Sequence, residues 1–353
     1  MSAEPVREGR VDMLDAVRLI AAFQMIQGHT IDALLLESAR SGAFFHAWTW
    51  IRGLTAPMFL IAAGLSFSLA ASLADEPKFF ARRASRARTR RILRSLALIV
   101  TGTLMHIGDN PLCIDVLQCV GLSLLMLDLV VRIAPGSRSV FSIATLLALI
   151  FMLFVAPMDA LRGEGWTRIP LALVGHETGS LFPLFPWAAY VFGGLALARM
   201  ILPEGGKTNA MRIGWRCFSA AFIALLVSMI WSLAENEPTL EYSSRVSVIL
   251  LRGSCVVALM GACAFLSARF SFPHRTRWLA GETLALYVFH LLFLFAAVIG
   301  PVHVIGRSLG WGMASIAALV MLALSVLAAR LWAWFWPFIE VRVFPPTRTA
   351  PVR

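Results

Sequence analysis

Charge is what this sequence has least of. Only 14% of its 353 residues are Asp, Glu, Lys or Arg, against 59% apolar, where a soluble domain carries about 25% charged and about 45–50% apolar residues. With a mean hydropathy of +0.77, that shortage excludes an ordinary cytosolic enzyme and a disordered chain. Cysteine is also thin. The five, at 113, 119, 217, 255 and 263, have no metal or redox spacing, which excludes a disulfide-stapled module and reads as small buried hydrophobes. A long polar domain, a low-complexity tract and a short-period repeat are all missing. The first twelve positions are polar and charged, and the next segment carries Asp15, Arg18 and His29; this does not read as a signal peptide.

What the chain has instead is a succession of apolar stretches of about 20 residues, the length of a transmembrane helix. Ten occur, at roughly 14–36, 51–73, 92–109, 115–133, 139–158, 180–202, 213–234, 246–266, 282–300 and 312–336. The expectation is an all-α polytopic membrane protein of about ten transmembrane helices. It forms a single integral membrane domain over 1–353, with 1–13 and the tail 337–353 in the cytoplasm and the spans within 14–336. The net charge of +11 is then a matter of sidedness. With both termini cytoplasmic, 22 of the 31 Lys and Arg fall on the cytoplasmic side, seven on the outer side, and Arg18 and Arg330 within spans, as the positive-inside rule requires.

Ionisable groups inside a span cost about 2.5–3.5 kcal/mol each at its centre and are functional candidates by default. The first span holds the densest set. Arg18 and His29 are 11 residues apart, close to three helical turns, so they share a face about 16 Å apart along the axis. Asp15 is placed to pair with Arg18, Gln24 and Gln27 add polar atoms, and Gly28 lets another segment approach beside His29. Snorkelling of Asp15 and Arg18 to the interface is the alternative for that pair. On the applied orientation His29, His46, His106, His176 and His303 gather towards the outer side, near Asp109, Asp115 and Gln118, with His290 roughly mid-membrane. Neutral histidine suits removal of a proton from a hydroxyl or amine. No spacing in the chain supports a metal site, so none is expected.

The segment Lys78–Arg94 holds eight cations in 17 residues on the cytoplasmic face. Such a loop sets topology and touches anionic headgroups; its arginines, Arg82, Arg83, Arg86 and Arg90 among them, could also anchor a phosphorylated cytosolic donor. Nucleic acid is not expected, because no aromatic residues interleave the cations.

These residues carry a resemblance. From Asp12 to about Leu127 the chain resembles the transmembrane acyltransferase superfamily: the heparan-alpha-glucosaminide N-acetyltransferases with their bacterial relatives, and the acyltransferase-3 family. The matching pieces are Leu14-Asp15-Ala16-Val17-Arg18 with His29, an Arg-x10-His pattern; Arg52-Gly53-Leu54-Thr55-Ala56-Pro57-Met58-Phe59 running to Gly64; the Arg-rich loop; and Asp115-Val116-Leu117-Gln118 with Gly121. Phe185-Pro186-Trp187 and Leu286-Tyr287-Val288-Phe289-His290 are similar to later spans of the same group.

The resemblance implies a membrane acyltransferase in the bacterial inner membrane. It would move acetyl from cytosolic acetyl-CoA to a hydroxyl or amine acceptor on the outer face, such as a glycan or lipid-linked sugar. It implies His29 or His46 as the base, Arg18 as an aid to donor or charge, and Arg82, Arg83, Arg86 and Arg90 as the donor's anchor. Asp15, Gln27, Arg52, His106, Asp115, Gln118 and His290 would be supporting polar groups, and a homodimer is left open. Two departures stand out: the heparan-type enzymes place asparagine near the position of His29, and glycine where Leu19 follows Arg18. The rival class is a transporter or lipid flippase using the same polar file, but no second repeat half matches the first span.

Overall fold

The computed structural model describes residues 12–73, 75–83, 86–106, 110, 112–201, 210–235, 244–270, 273–295 and 300–343. The described helices begin with α1 (Asp12–Leu34), α2 (Gly42–Arg52), α3 (Thr55–Ala71), α4 (Glu76–Arg83), α5 (Arg86–His106) and α6 (Val116–Ile133). They continue with α7 (Ser137–Leu153), α8 (Val155–Asp159), α9 (Arg168–Val174), α10 (Leu184–Ile201), α11 (Ala210–Ala234) and α12 (Val246–Arg269). The chain ends on α13 (His274–Gly281), α14 (Thr283–Phe295), α15 (Pro301–Val304) and α16 (Trp311–Val343). Among the described residues the β-structure is a single bridge, Leu35 to Leu309.

Each of the ten apolar segments contains a helix. Six stretches are long and apolar enough to cross a membrane: Gly42–Ala71 (α2 with α3), α6, α10, α11, α12 and Trp311–Phe335 of α16. The shorter α7 and α14 are also apolar. Helices α1 and α5 have the length but are charged, α1 by Asp12, Asp15, Arg18 and Asp32, α5 by five arginines. Without water to satisfy the backbone, helices are how such segments bond internally. The chain is an all-helical, multi-pass integral membrane protein.

Its contacts define two compact units. One is 1–17 with 56–272, the other 18–55 with 273–353. In the first, α3 and α10 cross at backbone contact. A Cβ on Gly64 would lie 1.9 Å from the Val191 carbonyl oxygen, and one on Gly194 would lie 2.3 Å from that of Ile61, so only glycine admits the approach. Helices α5 and α6 are tied by charge: Asp128, 2% exposed, accepts from Arg88 Nε at 2.6 Å and Arg91 Nη2 at 2.9 Å. Two arginines of the basic segment are therefore spent inside the protein.

In the second unit the end of α1 and the start of α16 are held by short backbone bonds: Leu36 N donates to Leu309 O at 2.8 Å, and Leu309 N to Leu34 O at 3.0 Å. Behind them Ile31, Leu35, Ala314 and Ala318 form a buried cluster, covered by Phe45, Trp48 and Trp311. That packing fixes the C-terminal half of α1 against α2, and with it the side chains described next.

Candidate functional site

His29 reaches the surface of the second unit on α1, and its surroundings are built by residues one turn away or brought in by α2 and α14. Asp32 lies one turn beyond it. This carboxylate accepts from Arg40 Nη2 at 2.7 Å and Arg52 Nη1 at 2.8 Å, and Arg40 also bonds the Asp32 backbone carbonyl at 2.7 Å. Two arginine forks on one carboxylate hold its position more firmly than a single pair would. The stem of Arg52 runs over Gly28, where a Cβ would stand 2.9 Å from Arg52 Cγ; the approach allowed by Gly28 is thus by a side chain. The guanidinium rests 5.1 Å from the Trp48 ring centroid. Gln24 donates to the Ile51 carbonyl, which also accepts from Leu54 N at 3.0 Å at the end of α2.

On the other side of His29 stands His290 of α14, ring centroids 5.3 Å apart and planes at 84°. His290 is fully buried. Its Nδ1 lies 3.0 Å from the Leu286 carbonyl oxygen, which can only accept. Nδ1 therefore carries the hydrogen, and in the neutral ring Nε2 is the acceptor. Tyr287 packs edge-on against the same ring at 5.6 Å. A cavity of about 300 Å³ opens here, lined by His29, Asp32, Arg52, Phe295, Val302 and Arg307 among others. It combines an accessible imidazole, a carboxylate and two guanidinium groups over an apolar wall. This set can move a proton and stabilise a developing negative charge.

Of the residues singled out in the sequence, the structure brings together His29, Arg52 and His290. Arg18 is half-buried on α1, three turns before His29, and Gln27 is half-buried in the same helix; Asp15, at 5% exposure, lies in the first unit. His46 is exposed on α2 against Phe45 and does not line the cavity. Asp32, Arg40 and Arg307 went unremarked in the sequence beyond the tally of outer cations. Asp32 had a signal, an acid three residues after His29 in an apolar segment.

The first unit gathers a second predicted group. His106 Nε2 lies 3.7 Å from Asp115 Oδ2. Asp115 and Gln118 form a capping box at the start of α6, with Asp115 N donating to Gln118 Oε1 at 2.7 Å. Gln118 Nε2 bonds the Cys113 carbonyl at 3.3 Å. The Asp-x-x-Gln motif thus has a local role, satisfying the free N–H groups of a helix start. His176 pairs with Asp159 at 2.9 Å in the connection before α10. Of the cationic segment, Arg90 is exposed on α5; the side chains of Arg82, Arg83 and Arg86 lie outside the described residues, as does Asp109. Among the described residues no cluster of three His, Cys, Asp or Glu could hold a metal ion.

The apolar helices define an integral membrane protein, whose second unit carries a polar cavity at His29. The family model described as heparan-alpha-glucosaminide N-acetyltransferase, catalytic, matches residues 10–233, more than half of the chain, and the protein belongs to that family. The matched stretch contains His29, Asp32, Arg52, Asp115 and Gln118, whereas His290 lies beyond it. No curated protein matches the chain.

Proposed function

We propose that the protein transfers an acetyl group from acetyl-CoA to a hydroxyl or amine of an outer-face acceptor, a glycan or lipid-linked sugar. His29 carries the reading: it is the accessible base of the cavity, set between a buried histidine whose tautomer is fixed and a carboxylate that locks two arginines. His29 removes the acceptor's proton as the acceptor oxygen or nitrogen attacks the thioester carbonyl, then returns that proton to the departing thiolate. Arg52 faces the charge that develops on the carbonyl oxygen. Arg18, three turns along α1, positions the donor. Cations of the α4–α5 segment, the exposed Arg90 among them, suit the donor's phosphates, although Arg88 and Arg91 are committed to Asp128. On this reading the ten segments cross a bacterial inner membrane with both termini cytoplasmic.

The test is acetyl-CoA binding and turnover by purified protein in nanodiscs. Wild type should bind acetyl-CoA and consume it when given membrane glycans or amino sugars; Arg18→Ala should weaken binding. A wild-type protein that neither binds nor turns over acetyl-CoA contradicts the proposal.

A further inference from the structure

Two arginines stand at the head of α12 without a described counter-charge. Arg245 immediately precedes the helix and Arg252 follows seven positions later. That separation is close to two helical turns, which puts both on one face, about 10 Å apart along the axis. Arg252 is 8% exposed. Among the described residues its buried Nε has no hydrogen-bond partner, and neither has the Nε of Arg245. Among the described residues the acid at this helix end is Glu235, which accepts from Val246 N at 2.8 Å and from the Ser247 hydroxyl.

Helix α10 adds donors to the same neighbourhood. The Tyr190 hydroxyl donates to the Ile249 carbonyl at 3.1 Å, about one turn of α12 before Arg252. Trp187, its ring 6.1 Å from that of Tyr190, is 7% exposed, and its buried indole N–H has no acceptor among the described residues. The buried hydroxyl of Ser244 also lacks a partner. Side chains on a helix lean towards its N-terminus, so the head of Arg252 leans back along the first turns of α12, the side on which Arg245 stands.

A buried guanidinium without an acid is costly in an apolar helix. Here, among the described residues, it is accompanied by other buried donors without a hydrogen-bond partner, the Arg245 Nε and the Trp187 indole N–H. We propose that Arg245, Arg252 and Trp187 form a binding site for a phosphate group. A carboxylate fills one arginine fork, whereas the several oxygens of a phosphate can meet two forks and an indole N–H together. Both arginines lie beyond the 10–233 stretch matched by the family, and the site uses none of the residues of the His29 cavity.

The probes are inorganic phosphate, titrated into full-length protein in phosphatidylcholine nanodiscs, and phosphatidylglycerol, built into nanodiscs without phosphate. One of them raises the melting temperature of the wild type by at least about 3 °C. A response to inorganic phosphate identifies a soluble phosphate ester as the ligand class, and a response to phosphatidylglycerol identifies a phospholipid headgroup. Arg252→Met abolishes the response. Arg252→Lys, which keeps the charge and loses the planar fork, weakens it at least about tenfold in half-saturating concentration and serves where the methionine variant does not fold. Absence of a wild-type response to both probes overturns the site, and so does an undiminished response in the variants.

Discussion

Asp32 holds Arg40 with one oxygen and Arg52 with the other, so its charge decides where the Arg52 fork sits beside His29. Asp32→Asn keeps the shape and removes the charge. It should lower acetyl-CoA turnover at least about tenfold, the scale of a lost electrostatic positioning group. Glu37→Gln, at the exposed rim where Arg307 bonds it at 3.1 Å, should stay close to wild type, since exposed pairs contribute little. Steady-state assays of the two variants side by side decide this, and equal rates would remove Asp32 from the site. His29 and His290 were visible in the sequence because polar side chains stand out in apolar segments, and Arg52 through the resemblance of the Arg52–Phe59 motif. Asp32 was hidden by its partners, which lie eight and twenty residues away; only the folded α1–α2 connection reveals them. Asp115 and Gln118 show a further layer, since their three-residue spacing is also that of a helix cap.

At the scale of the elements, apolar length alone located the helices, because a bilayer-length run has no other way to bond its backbone. What it could not locate were the interruptions. Gly53 and Leu54 part α2 from α3, and Phe185 breaks the helical path at the start of α10. Helix α2 itself occupies most of what read as a connection between the first two spans. The crossing of α3 and α10 gives the sharpest test of packing. Gly64→Leu drives a side chain into the Val191 carbonyl, and a backbone atom cannot step aside. It should cost more than about 3 kcal/mol or prevent folding altogether. Gly193→Ala, where a Cβ meets nothing within 4 Å, should leave stability unchanged or slightly raised. Thermal melts of the two purified variants check the pair; equal melting temperatures would refute the crossing.

For the whole molecule, the proposed orientation distributes the +11 charge between the two sides of a membrane. The 22-to-seven division of Lys and Arg predicts that a cysteine replacing Arg90 is labelled by an impermeant maleimide only from the cytoplasmic side. One replacing His303, exposed on α15, should be labelled only from the outside. The native cysteines give little background, since four of the five are buried. Labelling of both from one side would overturn the orientation. The division into two units was not legible in sequence at all: residues 18–55 join 273–353 across more than 200 positions, and no local pattern signals such a pairing.

In the proposed function His29 is the base of an acetyltransferase. The most direct measurement compares kcat for acetyl transfer in wild type, His29→Ala and His46→Ala, with acetyl-CoA affinity measured in parallel. The account predicts a fall in kcat of about 10²-fold or more for His29→Ala with affinity retained, and near wild-type turnover for His46→Ala. Turnover preserved in His29→Ala, or lost only in His46→Ala, would contradict it.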